Sequence, residues 1–231
     1  MPQFRDQVVL VTGANGALGE VVTRNFIDGG AHVVGVDLDW SGARSETSRL
    51  TAVELDLRDP AQCRRAVSVA MEQHGRIDVL VNLVGVFEEG ESIAQTAHET
   101  WNHMLDVNLN VTFHLAREVM PPMLAQGRGR IIAMGAKSGV NPQPRMGAYH
   151  VSKAALHALI RVMAAECRGT GVTVNAVLPA KMDTSENHAT ATEEELARMV
   201  NPRSIAALIQ FLASESACEI NGALVPVYGR S

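Results

Sequence analysis

The strongest constraint on the fold is an apolar run near the N-terminus that ends in a glycine-rich loop. Residues 8–12 read Val-Val-Leu-Val-Thr, and Gly13, Gly16 and Gly19 follow at three-residue spacing. An apolar run bounded by a turn predicts a strand buried on both faces. A helix beginning at Ala17 would direct its unpaired N–H groups and the positive end of its dipole at the loop. This arrangement predicts a pyrophosphate-binding site.

An acidic residue follows the loop at the spacing expected of a dinucleotide site. Residues 32–37 predict a second buried strand that ends on Asp37, about 20 residues beyond the loop, where a carboxylate accepts hydrogen bonds from an adenosine ribose. A 2′-phosphate would be repelled there, and Asn15 in the loop is not basic. We therefore expect NAD rather than NADP. The alternative is that the glycines only form a turn and Asp37 only ends a strand, but strand, loop, helix and acid together favour the dinucleotide site.

Further apolar runs alternate with helical patterns along the rest of the chain. The predicted strands are 50–55, 78–82, 129–134, 172–177 and 223–227, and the predicted helices include 17–30, 59–75, 100–120, 149–168 and 201–212. Alternating strands and helices predict an α/β fold, a single-domain Rossmann-type doubly wound parallel sheet of about seven strands with helices on both faces. Residues 41–50 are expected to form a loop or short helix, and the polar segment 181–192 is expected to be mobile.

Composition excludes several classes of function. The formal net charge is −5 and no basic run is present, so nucleic acid is not expected as a partner. No apolar span reaches the roughly 18 residues of a membrane helix, and the N-terminus does not resemble a signal peptide. Cys63, Cys167 and Cys218 lack metal-ligand spacing, so we expect no metal and a reduced, cytoplasmic setting. With no linker-like break, residues 1–231 are expected to form one dinucleotide-binding and catalytic domain.

Tyr149 and Lys153 form the candidate catalytic pair. They are four residues apart in a predicted helix and therefore share one face. A phenol titrates near ~10, and a neighbouring ammonium, or a cationic oxidised nicotinamide, is expected to lower that pKa. Tyr149 would then exchange a proton with a carbonyl or alcohol oxygen, and Lys153 would also hold the nicotinamide ribose. The alternative is an exposed tyrosine and a solvated lysine on a helix face. His150, on another helix face, is expected to be structural.

Asn108 lies in the middle of the predicted helix 100–120. Asparagine is a poor residue for a helix interior because its side chain competes for backbone hydrogen bonds. A buried asparagine at this position should therefore have a specific use for its amide.

From Val8 almost to the C-terminus, the chain resembles the classical short-chain dehydrogenase/reductase family. The motifs that carry the resemblance are Thr12-Gly13-Ala14-Asn15-Gly16-Ala17-Leu18-Gly19, Asp37, Asp56, Asn82 with Gly85, Asn108, Tyr149 with Lys153, and residues 174–179. The resemblance implies NAD(H) bound across the strand ends and hydride transfer between an alcohol and a ketone or aldehyde. The cofactor-binding positions that it implies are Gly13, Asn15, Gly16, Ala17, Leu18, Gly19, Asp37, Asp56, Leu57, Asn82, Gly85, Tyr149, Lys153, Pro179 and Thr184.

The resemblance also implies particular roles. Asp56 and Leu57 would flank the adenine, Thr184 would approach the nicotinamide carboxamide, and Asn108 would hold a water leading to Lys153 as part of a proton relay. Many relatives are tetramers packed through two long helices, which correspond here to residues 100–120 and 149–168. A dimeric or tetrameric homo-oligomer acting on a small alcohol or carbonyl substrate is therefore expected.

The sequence departs from the family pattern at the position of the catalytic serine. Thirteen residues before the tyrosine stands Ala136, whose methyl group donates no hydrogen bond. Losing one such donor can cost about 2.7–4 kcal/mol of transition-state stabilisation. Ser138 is a candidate substitute, although it also fits a surface turn. Two hypotheses follow, namely an NAD(H)-dependent oxidoreductase that uses Tyr149, Lys153, Asn108 and Ser138, or a weakly active or inactive NAD(H)-binding sensor or assembly subunit.

Overall fold

Seven parallel strands form one sheet in the described part of the chain. A computed structural model describes residues 3–40, 47–189 and 191–229. The strands are β1 (Val8–Thr12), β2 (His32–Asp37), β3 (Leu50–Glu54), β4 (Val79–Asn82), β5 (Gly129–Met134), β6 (Val172–Pro179) and β7 (Leu224–Val227). Their order is β3-β2-β1-β4-β5-β6-β7, and every neighbouring pair is parallel. The predicted Rossmann-type α/β fold is confirmed.

Helices connect the strands and cover both faces of the sheet. The described α-helices are α1 (Ala17–Asp28), α2 (Pro60–His74), α3 (His98–Leu105), α4 (Val111–Ala125), α5 (Gly147–Glu166), α6 (Ser185–His188), α7 (Glu193–Leu196) and α8 (Pro202–Ala213). Local signals set several of their starts. Asp59 caps α2 by accepting the Ala61 N–H at 2.8 Å, with Pro60 in the first turn. Thr192 and Glu195 form a capping box at the start of α7.

The central strands are apolar at nearly every position because both faces of the sheet are covered. Leu10 and Leu80 pack on one side with α2, α4 and α5, whereas the adjacent Val9 and Val81 pack on the other side with α1 and α8. Successive side chains of a strand point to opposite faces, so a strand covered on both faces needs apolar residues throughout. All five residues of β1 are buried.

The structure corrects one expectation about a helix and adds detail to one about a loop, whose mobility stays a prediction. The helix predicted over 100–120 is interrupted by a π-helical turn at Asp106–Asn110 between α3 and α4. The segment predicted to be mobile, 181–192, contains α6, and Met182 forms a β-bridge with Val200. Residue 190 lies outside the described residues. Of the loop predicted over 41–50, residues 41–46 also lie outside them.

The turn from β1 into α1 depends on a close backbone approach. A Cβ on Gly19 would overlap the Gly13 carbonyl oxygen and lie 2.7 Å from the Ala14 carbonyl carbon. Gly13 itself has a φ of +68°, in the left-handed region that favours glycine. The two glycines therefore shape the loop together.

Replacing Gly19 with alanine should destabilise the protein, because the new methyl group has no space between two backbone segments. Overpacking of this kind costs about 1–3 kcal/mol, and urea unfolding would measure it. Gly90→Ala is the control, since a Cβ there meets nothing within 4 Å. Equal stability of the two variants would contradict the packing argument.

Candidate active site

The candidate site lies at the carboxyl edge of the sheet, where the strand order reverses between β1 and β4. Thr12, the last residue of β1, pairs with Val36 on one side and with Asn82 on the other. The chain leaves β1 towards β2 and returns to β4 on the opposite side, so the loops after these strands separate and leave a crevice. Ligands of doubly wound sheets bind in such a crevice.

The glycine loop presents the N-terminus of α1 to this crevice. Gly16 is the N-cap of α1, and no side chain from the described residues bonds to this end of the helix. Gly16 and Ala17 are exposed, whereas Leu18 is buried and anchors the first turn. The first N–H groups of the helix are thus directed at the crevice, which suits a phosphate ligand.

Asp37 lies at the tip of β2 against the glycine loop. Its carboxylate accepts the Asn15 N–H at 2.8 Å and the Leu38 N–H at 2.8 Å. The Asn15 side chain donates to the Asp39 carbonyl oxygen at 2.9 Å. These bonds fix the half-buried carboxylate beside the loop, where sequence analysis places the adenosine ribose.

The two residues predicted to flank the adenine differ in their surroundings. Asp56 receives hydrogen bonds from the Arg58 guanidinium, including one of 2.9 Å from Nε to Oδ1. These side-chain bonds hold the pKa of Asp56 below its usual range. Leu57 is buried and packs into the core. In this structure the Asp56 carboxylate is therefore engaged by Arg58.

The Asn82 side chain braces the strand ends. Its Oδ1 accepts the Thr12 hydroxyl at 2.6 Å and the Val84 N–H at 3.2 Å, and its Nδ2 donates to the Thr112 hydroxyl at 2.7 Å. Only 2% of Asn82 is exposed. Its side chain therefore connects β1, β4 and α4 and positions the turn towards Gly85, and its contact with the cofactor stays a prediction.

Asn108 connects the segment after β4 to the first turn of α5. From the π-helical turn, its Oδ1 accepts the Val86 N–H at 2.9 Å, and its Nδ2 donates to the Val86 carbonyl at 3.0 Å. The same Nδ2 donates to the Ser152 hydroxyl at 3.1 Å, which in turn donates to the Tyr149 carbonyl at 2.8 Å. The buried Asn108 amide is thus used to bond Val86 and Ser152. π-Helical turns like the one that carries it often occur at functional sites.

Lys153 is buried beside the same segment. Its Nζ donates to the Met134 carbonyl at 2.9 Å, and burial lowers the pKa of its ammonium to about 8. A Cβ on Gly85 would lie 3.1 Å from both Lys153 Nζ and Asn108 Oδ1. The two polar atoms therefore border the same side of Gly85, where a Cβ would fit only if its neighbours moved slightly.

Tyr149 lies in the first turn of α5, one helical turn before Lys153. Its ring packs edge-on against Phe87, with the ring centroids 5.1 Å apart. Burial raises the pKa of the phenol to about 12. The expected lowering of this pKa by Lys153 is not found in the protein alone, where the cost of burying a phenolate sets the direction of the shift.

The loop after β5 contains the missing serine position. Ala136 is buried, and its N–H donates to His157 Nε2 at 3.4 Å. Ser138 lies in a 3₁₀ turn two residues further on, with its carbonyl 2.7 Å from His150 Nδ1. His150 Nε2 accepts the Gln143 N–H at 2.6 Å, which confirms the predicted structural role of His150. The role of the Ser138 hydroxyl stays a prediction.

The segment after β6 places the last two predicted cofactor contacts. Pro179 is the buried final residue of β6. Thr184 caps α6 by accepting the Asn187 N–H at 3.3 Å. Its hydroxyl is therefore engaged within the segment, and a contact with the nicotinamide carboxamide stays a prediction.

Sequence reasoning missed three residues that shape the site. Ser152 joins Asn108 to α5, His157 supports the backbone at Ala136, and Phe87 packs on Tyr149. Only His157 carried a sequence signal, because it lies four residues after Lys153 and so on the same helix face. The other two contacts arise from loops and turns that meet only in the folded chain.

The described part of the chain offers neither a metal centre nor a membrane-spanning helix. Its histidine, cysteine and acidic side chains form no group of three or more that could hold a metal ion. None of its helices is long and apolar enough to cross a membrane. Cys63, Cys167 and Cys218 are free thiols, and the first two are buried.

Known proteins resemble the chain over nearly its whole length. Meso-2,3-butanediol dehydrogenase of Serratia marcescens is 31% identical over 240 residues, which cover 98% of this chain and 95% of that protein. The 3-oxoacyl-(acyl-carrier-protein) reductase FabG of Escherichia coli is 28% identical over 238 residues, covering 98% and 97%.

A solved structure and a family model give the same result. The 3-ketoacyl-(acyl-carrier-protein) reductase from Brucella melitensis, complexed with NADH, matches with a TM-score of 0.91 at 25% identity and covers 99% of each chain. The family model described as short chain dehydrogenase matches residues 7–195. The chain therefore belongs to the short-chain dehydrogenase/reductase family of oxidoreductases.

Proposed function

We propose that the protein is an NAD(H)-dependent oxidoreductase that interconverts an alcohol and a ketone or aldehyde. The observation that carries this proposal is the meeting of Lys153 Nζ and Asn108 Oδ1 at Gly85, one helical turn from Tyr149. These polar atoms lie at the sheet edge where ligands of this fold bind, and burying the Lys153 amine lowers the pKa of its ammonium to about 8. The names of the butanediol dehydrogenase and of the NADH-bound reductase support the same chemistry.

The residues present fit a dinucleotide. The open N-terminus of α1 suits the pyrophosphate, and the Asp37 carboxylate at the tip of β2 suits an unphosphorylated adenosine ribose. The space beside Gly85 would admit ribose hydroxyls to Lys153. When bound, the nicotinamide exchanges a hydride with the substrate carbon. Tyr149 donates the accompanying proton to the carbonyl oxygen during reduction and accepts it during oxidation.

The protonation of Lys153 determines when Tyr149 can act. The buried amine of Lys153 has a pKa of about 8 and is therefore an ammonium below about pH 8. A positive charge one helical turn away favours the phenolate of Tyr149. Burial alone raises the pKa of Tyr149 to about 12, so further positive charge is needed. Oxidised nicotinamide is cationic and fits that requirement. Asn108 orders the segment around this pair and supports reprotonation of the phenol through Lys153.

A second candidate is a weakly active or inactive NAD(H)-binding protein that serves as a sensor or assembly subunit. The buried methyl group of Ala136 favours it, because this position donates no hydrogen bond from a side chain. Ser138 lies two residues away, and its hydroxyl is the substitute donor in the enzymatic proposal. Turnover of any alcohol or carbonyl compound at an enzymatic rate would reject the second candidate.

Exposed apolar side chains on two helices support a homo-oligomer. Phe113 and Leu124 on α4 and Val151 and Val162 on α5 are each at least 40% exposed. Apolar patches on helix faces commonly become subunit interfaces. We propose a dimer or tetramer built through these helices. The expected cytoplasmic location stays a prediction.

Tyr149→Phe should reduce turnover at least about 100-fold, because it removes only the hydroxyl that transfers the proton. NADH affinity, measured by fluorescence titration, should change little. Tyr228→Phe is the control, since it removes the hydroxyl of the second tyrosine of the chain. Turnover by Tyr149→Phe at the wild-type rate would refute the proton-transfer role.

Asp37→Asn should shift cofactor preference towards NADPH. Removing the carboxylate lifts its repulsion of a 2′-phosphate, so the ratio of kcat/KM for NADPH over NADH should rise about tenfold, equivalent to ~1.4 kcal/mol. The exposed Asp28 of α1 provides the control variant Asp28→Asn. An unchanged ratio in Asp37→Asn would show that this carboxylate does not select the cofactor.

Lys153→Met should flatten the pH dependence of stability above pH 8. The folded protein loses the Lys153 proton at about pH 8. The unfolded chain keeps that proton up to about pH 10, so the free energy of unfolding rises with pH across this window by roughly 3 kcal/mol. In urea unfolding without dinucleotide, the wild type and the exposed control Lys181→Met should show this rise relative to Lys153→Met, because the buried Cys63 thiol, whose pKa is raised to about 12, adds the same opposing slope to all three. The same rise in Lys153→Met would contradict the assignment.

Ala136→Ser should increase kcat if the missing donor limits the reaction. The gain should reach at least about tenfold, because one donor to a developing oxyanion is worth about 2.7–4 kcal/mol. Ser138→Ala is the matched variant and should lower kcat if Ser138 replaces the missing serine. Absence of turnover in the wild type and in Ala136→Ser alike would favour the second candidate.

A further inference from the structure

An apolar surface adjoins the reactive phenol. The ring of Phe87 packs edge-on against Tyr149 with an interplanar angle of 89°, yet 60% of Phe87 remains exposed. Ile93, on the same loop, is 64% exposed. Single exposed apolar residues are common, but two on one loop, with one of them touching the phenol, mark a binding surface.

Hydrogen bonds hold this loop against the start of α5. The Gly90 N–H donates to the Arg145 carbonyl at 2.9 Å, and Arg145 Nε donates to the Gly90 carbonyl at 2.9 Å. Ile93 packs on Gly147, the first residue of α5, where a Cβ would lie 2.6 Å from Ile93 Cδ1. The loop that carries Phe87 and Ile93 is therefore held in place before any substrate arrives. Ile93 lies against Gly147, which is two residues before Tyr149 in α5.

The loop after β5, which contains the serine position of the family pattern, also carries apolar side chains. Ala136 presents a methyl group where relatives carry a serine, and Val140, just after the 3₁₀ turn, is 53% exposed. His150 holds the turn through the Ser138 carbonyl.

The charge around the site disfavours an anionic substrate. Glu88, Glu89 and Glu91 lie on the same loop as Phe87 and are exposed. Arg145 is the cation in contact with this loop, through its Nε bond to Gly90. Three exposed carboxylates beside one guanidinium give this loop a net negative charge, and like charges repel an approaching anion.

We propose that the substrate is an uncharged ketone, or the matching secondary alcohol, whose reacting carbon carries an aryl or similarly bulky apolar group. That group covers the exposed faces of Phe87 and Ile93 while the carbonyl oxygen reaches Tyr149. This inference rests on the proposed alcohol–carbonyl chemistry and assigns Phe87 as a residue that determines specificity.

Three ketones test the inference with NADH. Acetophenone has the phenyl group, acetone lacks it, and benzoylformate adds a carboxylate to it. In the wild type, kcat/KM should be at least about tenfold higher for acetophenone than for either of the others, in line with the value of burying an aromatic ring. Phe87→Ala should lower the acetophenone-to-acetone ratio roughly tenfold. Phe211→Ala, which removes a 44%-exposed ring on α8, should leave that ratio unchanged.

The outcomes separate this inference from the proposed function. Equal kcat/KM for acetophenone and acetone, a preference for benzoylformate, or an unchanged ratio in Phe87→Ala would overturn the inference while leaving the oxidoreductase proposal intact. If none of the three ketones is reduced, turnover of other alcohols and carbonyl compounds tests the proposed function, and calorimetric titration of acetophenone into the NADH-loaded protein tests the inference. Binding that Phe87→Ala weakens would then support the apolar site, and no binding would overturn it.

Discussion

The parallel pairing of β1 with both β2 and β4 is the constraint on which the rest of the structure depends. Because all three strands run in one direction, their carboxyl ends meet at one edge of the sheet, and Thr12 lies between Val36 and Asn82. Helices cover both faces, so the edge is where loops can be polar and open. The glycine loop, Asp37 and the segment leading to Gly85 all follow from this arrangement.

At that edge, buried polar groups are satisfied by backbone atoms of neighbouring loops. Asn108 bonds to both the N–H and the carbonyl of Val86, and Lys153 bonds to the Met134 carbonyl. An unsatisfied buried polar group would cost about 1–3 kcal/mol, so these bonds hold the loops in register with α5. The same contacts that stabilise the fold therefore position the groups assigned to proton transfer.

Strong local signals made much of the fold predictable. The apolar run of β1, the Asp59–Pro60 start of α2 and the Thr192–Glu195 capping box each depend on neighbours in sequence, and the structure has all three. The π-helical turn around Asn108 was not predicted, because apolar residues continue with helical spacing on both sides of it. Sequence marked this asparagine as unusual without indicating how the backbone adapts.

Features of the site that depend on tertiary burial could not be predicted. The pKa of Tyr149 is raised because the folded chain removes water from the phenol, and a four-residue spacing from Lys153 carries no information about that burial. Likewise, the bonds of Asn82 to Thr12 and Thr112, which come from different elements, could not be predicted from its position in the sequence, and its place beside the cofactor stays a prediction. The contacts and burial of a side chain in the folded protein, rather than its residue type, determine the roles of Tyr149 and Asn82.

The central claim is that Tyr149 becomes a usable acid and base only when positive charge from the dinucleotide joins that of Lys153. NMR of tyrosine labelled at Cζ tests it directly in a Tyr228→Phe background, which leaves Tyr149 as the single tyrosine. Without dinucleotide the phenol should titrate with a pKa of about 12. With NAD⁺ the account predicts a pKa below the ordinary value of ~10. The same pKa in both titrations would contradict it.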